Sequence, residues 1–168
     1  MDESSQHLSV NSQRVWSFRK PRTKRKTAHI RANSIGCYML NGKDTIMFPK
    51  HTRCDDFCQF LEEVRRLNPK GRICLIIDNF ATHKAKKVLK KAKILNIKLI
   101  FLPPYSPDLN PIEFVWKSIK RTIYATSIET TTEVINLVNY TFISLTKNIS
   151  FARNWIWRFL RYKLNLLC

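Results

Sequence analysis

Two carboxylates in a strongly basic chain raise the first chemical question. Asp78 closes the apolar run ICLIID, and Glu113 opens a helical pattern just after the loop LPPYSPDLNP; 34 residues lie between them. Acids are scarce, with 12 Asp and Glu against 30 Lys and Arg, for a formal charge of +18 over 168 residues. Two carboxylates converging in such a protein suggest a divalent cation. Mg²⁺ takes a few carboxylate oxygens and completes its shell with water and phosphate. Two such ions can clamp the attacking and leaving oxygens of a phosphodiester displacement. Each acid also has a purely structural reading. Asp78 can start a turn with Asn79 that caps the next helix. Asn110, Pro111 and Glu113 can be the N-cap, the first helical residue and the N3 position of a capping box.

The elements around the acids allow them to meet. ICLIID reads as a strand buried on both faces, THKAKKVLKKAKIL as a basic helix stopped at Asn96, and IKLIFL as a second buried strand. Strand, helix and strand within about 30 residues make a right-handed βαβ unit. Both strands then run the same way, so Asp78 and Leu102 lie at one edge of the sheet, where open α/β sheets bind ligands. Four of the chain's seven prolines fall in the loop that follows. Their fixed φ places a helix start accurately at little folding entropy, and the helix from Pro111 can return Glu113 over Asp78.

Upstream, residues 14–18 (RVWSF) read as a short strand, and 19–26 (RKPRTKRK) as an exposed basic turn. Residues 27–40 alternate and end in an NGK turn, with TIMF at 45–48 as hairpin partner. Phe57, Phe60, Leu61, Val64 and Leu67 form one helix face ended by NPKG. Ile112, Trp116, Ile119 and Ile123 form the stripe of the next helix, and the remainder is helical.

Apolar residues make up 44% of the chain, enough for a core. The charge favours nucleic acid as partner, with an acidic membrane surface second. No apolar run is long enough to span a membrane. Five irregularly spaced cysteines with no signal peptide point to free thiols in a reducing compartment.

The stretch LIIDNFATHKAKKVLKKAKILNIKLIFLPPYSPDLNPIEFVWKSIKRTIY resembles the catalytic core of mariner-type insertion-sequence transposases, the DDE superfamily endonucleases. IIDNFATH and LPPYSPDLNPIEFVWKSIK carry the match. The opening MDESSQHLSVNSQRVWSF is similar to the family's first catalytic segment from its second residue, and makes Asp2 the first acid. The resemblance runs from about Asp2 to Tyr124. It implies a ribonuclease-H-like α/β fold, a mixed five-stranded sheet flanked by helices. It implies Asp2, Asp78 and Glu113 as catalytic ligands of two Mg²⁺ (or Mn²⁺) ions, with Asn79, His83 and Asn110 beside them. The implied activity is DNA strand cleavage and strand transfer in transposition, by a homodimer acting on transposon ends and target DNA without a small-molecule cofactor. It places the protein at the nucleoid of a prokaryote or in the nucleus of a eukaryote. Residues 1–125 are expected to be the catalytic domain, and 126–168 a helical extension of it.

Two departures set further expectations. The family's N-terminal helix-turn-helix region is not in this sequence, and neither is the central strand that should precede Asp2. Asp2 is therefore expected on a frayed terminus, and a truncated remnant that binds DNA without cutting it is the alternative function.

For DNA contact the candidates are Arg19, Lys20, Arg22, Lys24, Arg25 and Lys26, then Lys84, Lys86, Lys87, Lys90, Lys91 and Lys93, and Lys117, Lys120 and Arg121. Both Lys/Arg-rich runs have few balancing acids nearby in sequence. His83 either contacts the scissile phosphate or a ligand carboxylate, or bonds locally at a helix start. His51, Cys54 and Cys58 have loose zinc-like spacing but no second pair, and the cysteines more simply face the core. Trp155 and Trp157 either stack on bases or pack the tail.

Overall fold

The computed structural model describes residues 1–8, 30–126, 128–147 and 150–159. Five strands and five helices are described. β1 (Asp2–Leu8), β2 (Ile30–Cys37) and β3 (Thr45–Met47) form an antiparallel meander, with Asp2 opposite Gly36 and Ile35 opposite Met47. β4 (Ile73–Ile77) and β5 (Ile97–Phe101) pair in parallel. α1 (Cys54–Leu67) precedes β4, and α2 (Lys86–Ile94) makes the crossover. α3 (Ile112–Ala125), α4 (Thr131–Thr146) and α5 (Ser150–Phe159) complete the chain. The expected strand at 14–18 and the basic turn at 19–26 lie outside the described residues.

The strands lie in two ladders, one of three strands and one of two. Between the ladders, the Met1 amino group donates to the Ile76 carbonyl at 2.9 Å. Asp2 is thus not on a frayed end. Met1 is 5% exposed, and its carbonyl accepts from Asn110 Nδ2 at 3.2 Å. The side-chain amide of a residue far along the chain thereby holds the start of β1.

β2 is covered on both sides. Ile35 and Cys37 pack with Phe57, Phe60, Leu61 and Val64 of α1 and with Leu75 and Ile77 of β4. Ile30 and Ala32 pack on the opposite face with Trp116, Ile119 and Val138. Gly36 lies on that second face. A Cβ there would stand 2.7 Å from Trp116 Cζ2, so the glycine makes room for the indole.

β4 and β5 were expected to be buried on both faces. Instead β4 alternates: Ile73, Leu75 and Ile77 are buried, Ile76 is half-buried and Cys74 is exposed. In β5 only Ile97 is buried. A continuous apolar run does not reveal which face is covered, because that depends on elements distant in sequence.

Helix ends follow local chemistry. Asn96 takes φ 53, the left-handed stop anticipated after α2. Arg65 Nε and Nη2 donate to the Leu95 and Asn96 carbonyls, and Nη1 to those of Asn68 and Gly71. One guanidinium therefore ties together the ends of α1 and α2 and the loop entering β4. The tail packs against the fold, α4 and α5 both touching α3: Val134, Val138 and Phe142 are buried, and Trp155 Nε1 donates to the Leu109 carbonyl at 2.8 Å.

Candidate active site

Strand alternation sets the directions of Asp2 and Glu3. Asp2, Ser4 and Gln6 share the face of β1 that meets α3, while Glu3 points to the other side. Asp2 is the carboxylate most altered by its surroundings. Burial, and next the negative charge of Glu113, push its pKa up to about 7; the amino terminus opposes this and Asp78 adds to it. The three acids predicted from sequence therefore share one electrostatic neighbourhood. Among the described residues, no group of three or more His, Cys, Asp or Glu side chains is close enough to hold a metal ion as it stands.

Asp78 sits one residue past β4, at the edge where Leu102 N–H also donates back to Ile77. Its Oδ1 accepts from the Phe80 N–H at 3.2 Å, so the turn-forming role read from sequence is present too. The same oxygen lies 2.8 Å from His83 Nδ1, an ion-pair separation that misses hydrogen-bond alignment. Asn79 Oδ1 is buried beside it without a hydrogen-bond partner among the described residues.

His83 starts no α-helix. It lies in a 3-10 turn, Ala81–Lys84, and is 1% exposed, with its ring against Phe57 and Phe80. Its Nε2 is 3.3 Å from Glu3 Oε1. Burial would lower the His83 pKa, but Glu3 and then Asp78 outweigh it and hold it above the ordinary value. The line Glu3, His83, Asp78 joins β1 to the end of β4. Sequence reading singled out His83 but missed Glu3, whose only local signal was its position beside Asp2.

Glu113 lies in the first turn of α3, and its N–H donates to the Asn110 carbonyl. The capping box is not formed. Pro111 is the cap residue, no side chain caps the helix, and Asn110, 3% exposed, turns its amide to Met1 instead. Asn110 thereby ties the start of α3 to the start of β1, fixing Glu113 relative to Asp2.

The basic candidates divide. Lys84, Lys86, Lys90 and Lys93 are exposed, and Lys84 Nζ lies 5.8 Å from the Phe101 ring centre at the Asp78 edge. Lys117, Lys120 and Arg121 are exposed on α3; the spacing 113, 117, 120, 121 puts them in line with Glu113. Lys87 and Lys91 find balancing acids outside their own run. Lys87 pairs with Asp55, and Lys91 with Glu62 at 2.5 Å, both on α1. Arg19, Lys20, Arg22, Lys24, Arg25 and Lys26 lie outside the described residues. Cys54 points its thiol toward the Thr82 carbonyl and Cys58 is buried, which leaves no zinc set with the exposed His51. Trp155 packs into the fold, whereas Trp157 is exposed.

The sequence model of the DDE superfamily endonucleases matches residues 1–135. The chain belongs to that family. A curated relative, the uncharacterized protein y4pE/y4sA of Sinorhizobium fredii (strain NBRC 101917 / NGR234), is 40% identical over 57 residues, covering 33% of this chain and 39% of that protein. The Mos1 strand transfer complex is similar at TM-score 0.71 and 20% identity, over 92% of this chain and 49% of the Mos1 chain. The catalytic domain of Mos1 mariner transposase is similar at TM-score 0.62 and 16% identity, over 92% of this chain and 74% of that domain. Mos1 paired end complexes solved with Mn and with Mg are similar at TM-scores 0.70 and 0.69. At these identities the likeness establishes the ribonuclease-H-like fold. This DDE endonuclease chain spans about half the length of the full Mos1 chains it matches.

Proposed function

We propose that this chain is the catalytic part of a transposase that cleaves DNA and transfers the freed strand with divalent metal ions. The observation that carries the reading is that Asp2, at the start of β1, feels the charges of Glu113, in the first turn of α3, and of Asp78, one residue past β4. The donor chemistry fits: three hard carboxylate oxygens suit Mg²⁺ or Mn²⁺. Asp2, held up by its negative neighbours, gains most from a cation. Mos1, whose fold this chain shares, was solved with each of these ions. Bound between these residues, the metal would activate a water and stabilise the charge on the displaced oxygen.

The chain's own residues supply the rest. Asp2 and Asp78 approach from two strands and Glu113 from α3. His83, itself in contact with Glu3, lies at ion-pair distance from Asp78, and the unpartnered Asn79 oxygen offers one more acceptor. Lys84 on one side and Lys117, Lys120 and Arg121 on the other would hold phosphates and position DNA without reading bases. Action as a homodimer on paired transposon ends and target DNA belongs to the same proposal, as does residence wherever the cell keeps its DNA.

The test is an endonuclease and strand-transfer assay on end-containing DNA with Mg²⁺ or Mn²⁺. Asp78→Asn and Glu113→Ala should each abolish cutting, a loss of about 10³-fold or more, while DNA binding persists. Undiminished cutting by either variant would refute the reading. One observation favours a second reading, DNA binding without catalysis: among the described residues no three His, Cys, Asp or Glu side chains are grouped closely enough to hold an ion. In that case the unaltered chain binds DNA, and neither ion elicits cleavage.

A further inference from the structure

Glu3 follows Asp2 along β1, and strand alternation turns it to the opposite face. Its side chain is 17% exposed, and its Oε1 meets His83 Nε2 at 3.3 Å across 80 positions of sequence. The imidazole has little freedom. It is buried, with the Phe57 ring centre at 4.4 Å and the Phe80 ring nearly perpendicular at 5.8 Å. The turn that carries it is closed by bonds from the His83 N–H to the Phe80 carbonyl and from the Ala85 N–H to the Thr82 carbonyl. The Cys54 thiol at the start of α1 points at that same Thr82 carbonyl.

The other ring nitrogen, Nδ1, lies 2.8 Å from Asp78 Oδ1. That oxygen also accepts from the Phe80 N–H, and among the described residues no hydrogen bond reaches Asp78 Oδ2. One oxygen of the carboxylate is engaged inside the protein and the other is left over. An aspartate at a strand end does not make this choice alone, because its last torsion is broad and nearly two-fold. The imidazole and the turn make it. β1 and β4 belong to different ladders. The path from Glu3 through His83 to Asp78 crosses from one to the other with side chains.

We propose that Glu3 is a positioning residue of the candidate active site: through His83 it fixes the Asp78 carboxylate, so that Oδ2 is the oxygen presented to a divalent cation, and ties it to the strand that carries Asp2. The inference rests on the catalytic reading, which supplies the cation. Glu3 binds no ion itself; it faces away from the side of β1 that Asp2 occupies and acts through the ring. Hydrogen-bonding partners of a metal ligand orient it, and losing one costs about 10–100-fold in metal affinity or activity.

The test is Mn²⁺ binding to the full chain without DNA, read from the electron paramagnetic resonance signal of the free ion. Glu3→Ala should weaken binding about tenfold or more. Glu3→Gln keeps an acceptor oxygen in place without the charge and should restore most of the affinity. His83→Leu fills the space between the two phenylalanine rings and removes both nitrogens. In that background Glu3→Ala should cost no further affinity, because the residue acts only through the ring. In cleavage assays the Glu3→Ala rate should recover as Mn²⁺ is raised, while Asp78→Asn stays inactive. Equal losses in Glu3→Gln and Glu3→Ala would reduce Glu3 to a nearby negative charge and overturn the proposal. Additive losses in His83→Leu would overturn it as well; should that variant not fold, the two Glu3 variants decide alone. Unchanged affinity in Glu3→Ala, with binding lost in Asp78→Asn, would overturn the proposal and leave the catalytic reading standing. No binding by the unaltered chain at millimolar Mn²⁺ would overturn both.

Discussion

A carboxylate held at about 7 instead of its ordinary 3.8 costs the folded protein stability whenever it is ionised, and Asp2 is in that position. The folded state binds its proton more tightly than the unfolded chain. The metal-free protein should therefore be most stable below about pH 4 with respect to this group, and lose stability as pH rises toward 7, by up to a few kcal/mol. His83, also raised, acts in the same direction from its ordinary value upward. Urea denaturation in chelator across pH 4 to 8 measures the slope, and Asp2→Asn should flatten it through the lower part of that range. Added Mg²⁺ should do the same for the unaltered protein, since a cation favours the ionised form. A slope unchanged in Asp2→Asn would place the cause elsewhere.

At the scale of elements, the fold depends on contacts that tie ends together. Arg65 forks into four carbonyls from three segments, which a lysine's single ammonium cannot match. Arg65→Lys should cost about 2 kcal/mol and Arg65→Met more, read as a fall in urea midpoint at constant m. Gly36 presents the opposite requirement, the absence of a side chain. Gly36→Ala drives a methyl into the Trp116 ring, with Phe142 Cε2 only 3.1 Å away, and should destabilise by about 1–3 kcal/mol. Thermal denaturation of that variant, paired with Trp116→Phe to relieve the clash, separates crowding from a general loss at this position.

For the whole molecule, the charge of +18 predicts DNA affinity that falls steeply with salt. Replacing Lys117, Lys120 and Arg121 together by alanine should weaken binding about equally for all sequences and reduce the salt slope by up to about three. An unchanged slope would remove α3 from the interface. How much of this was legible in the sequence depends on the range of each interaction. α1, α3 and the β2–β3 hairpin were legible because their periodicity and turn residues are local, and the left-handed Asn96 was legible for the same reason. The influence of the Glu113 and Asp78 charges on Asp2 was reachable through strand direction and motif resemblance. The pairing of Lys87 with Asp55, the bond from Asn110 to Met1, and the Glu3–His83 contact were not, because each joins residues 32 to 109 positions apart.

The link between Met1 and Ile76 has a mechanical consequence. Asp2 belongs to one leaf of a book and Asp78 to the other, and the leaves are joined by the bond from Met1 to Ile76, by the Glu3–His83 contact and by the core that Ile35 shares with Leu75 and Ile77. A slip of a single residue there, about 3.3 Å, would spread the two acids by a distance comparable to an ion's whole coordination shell.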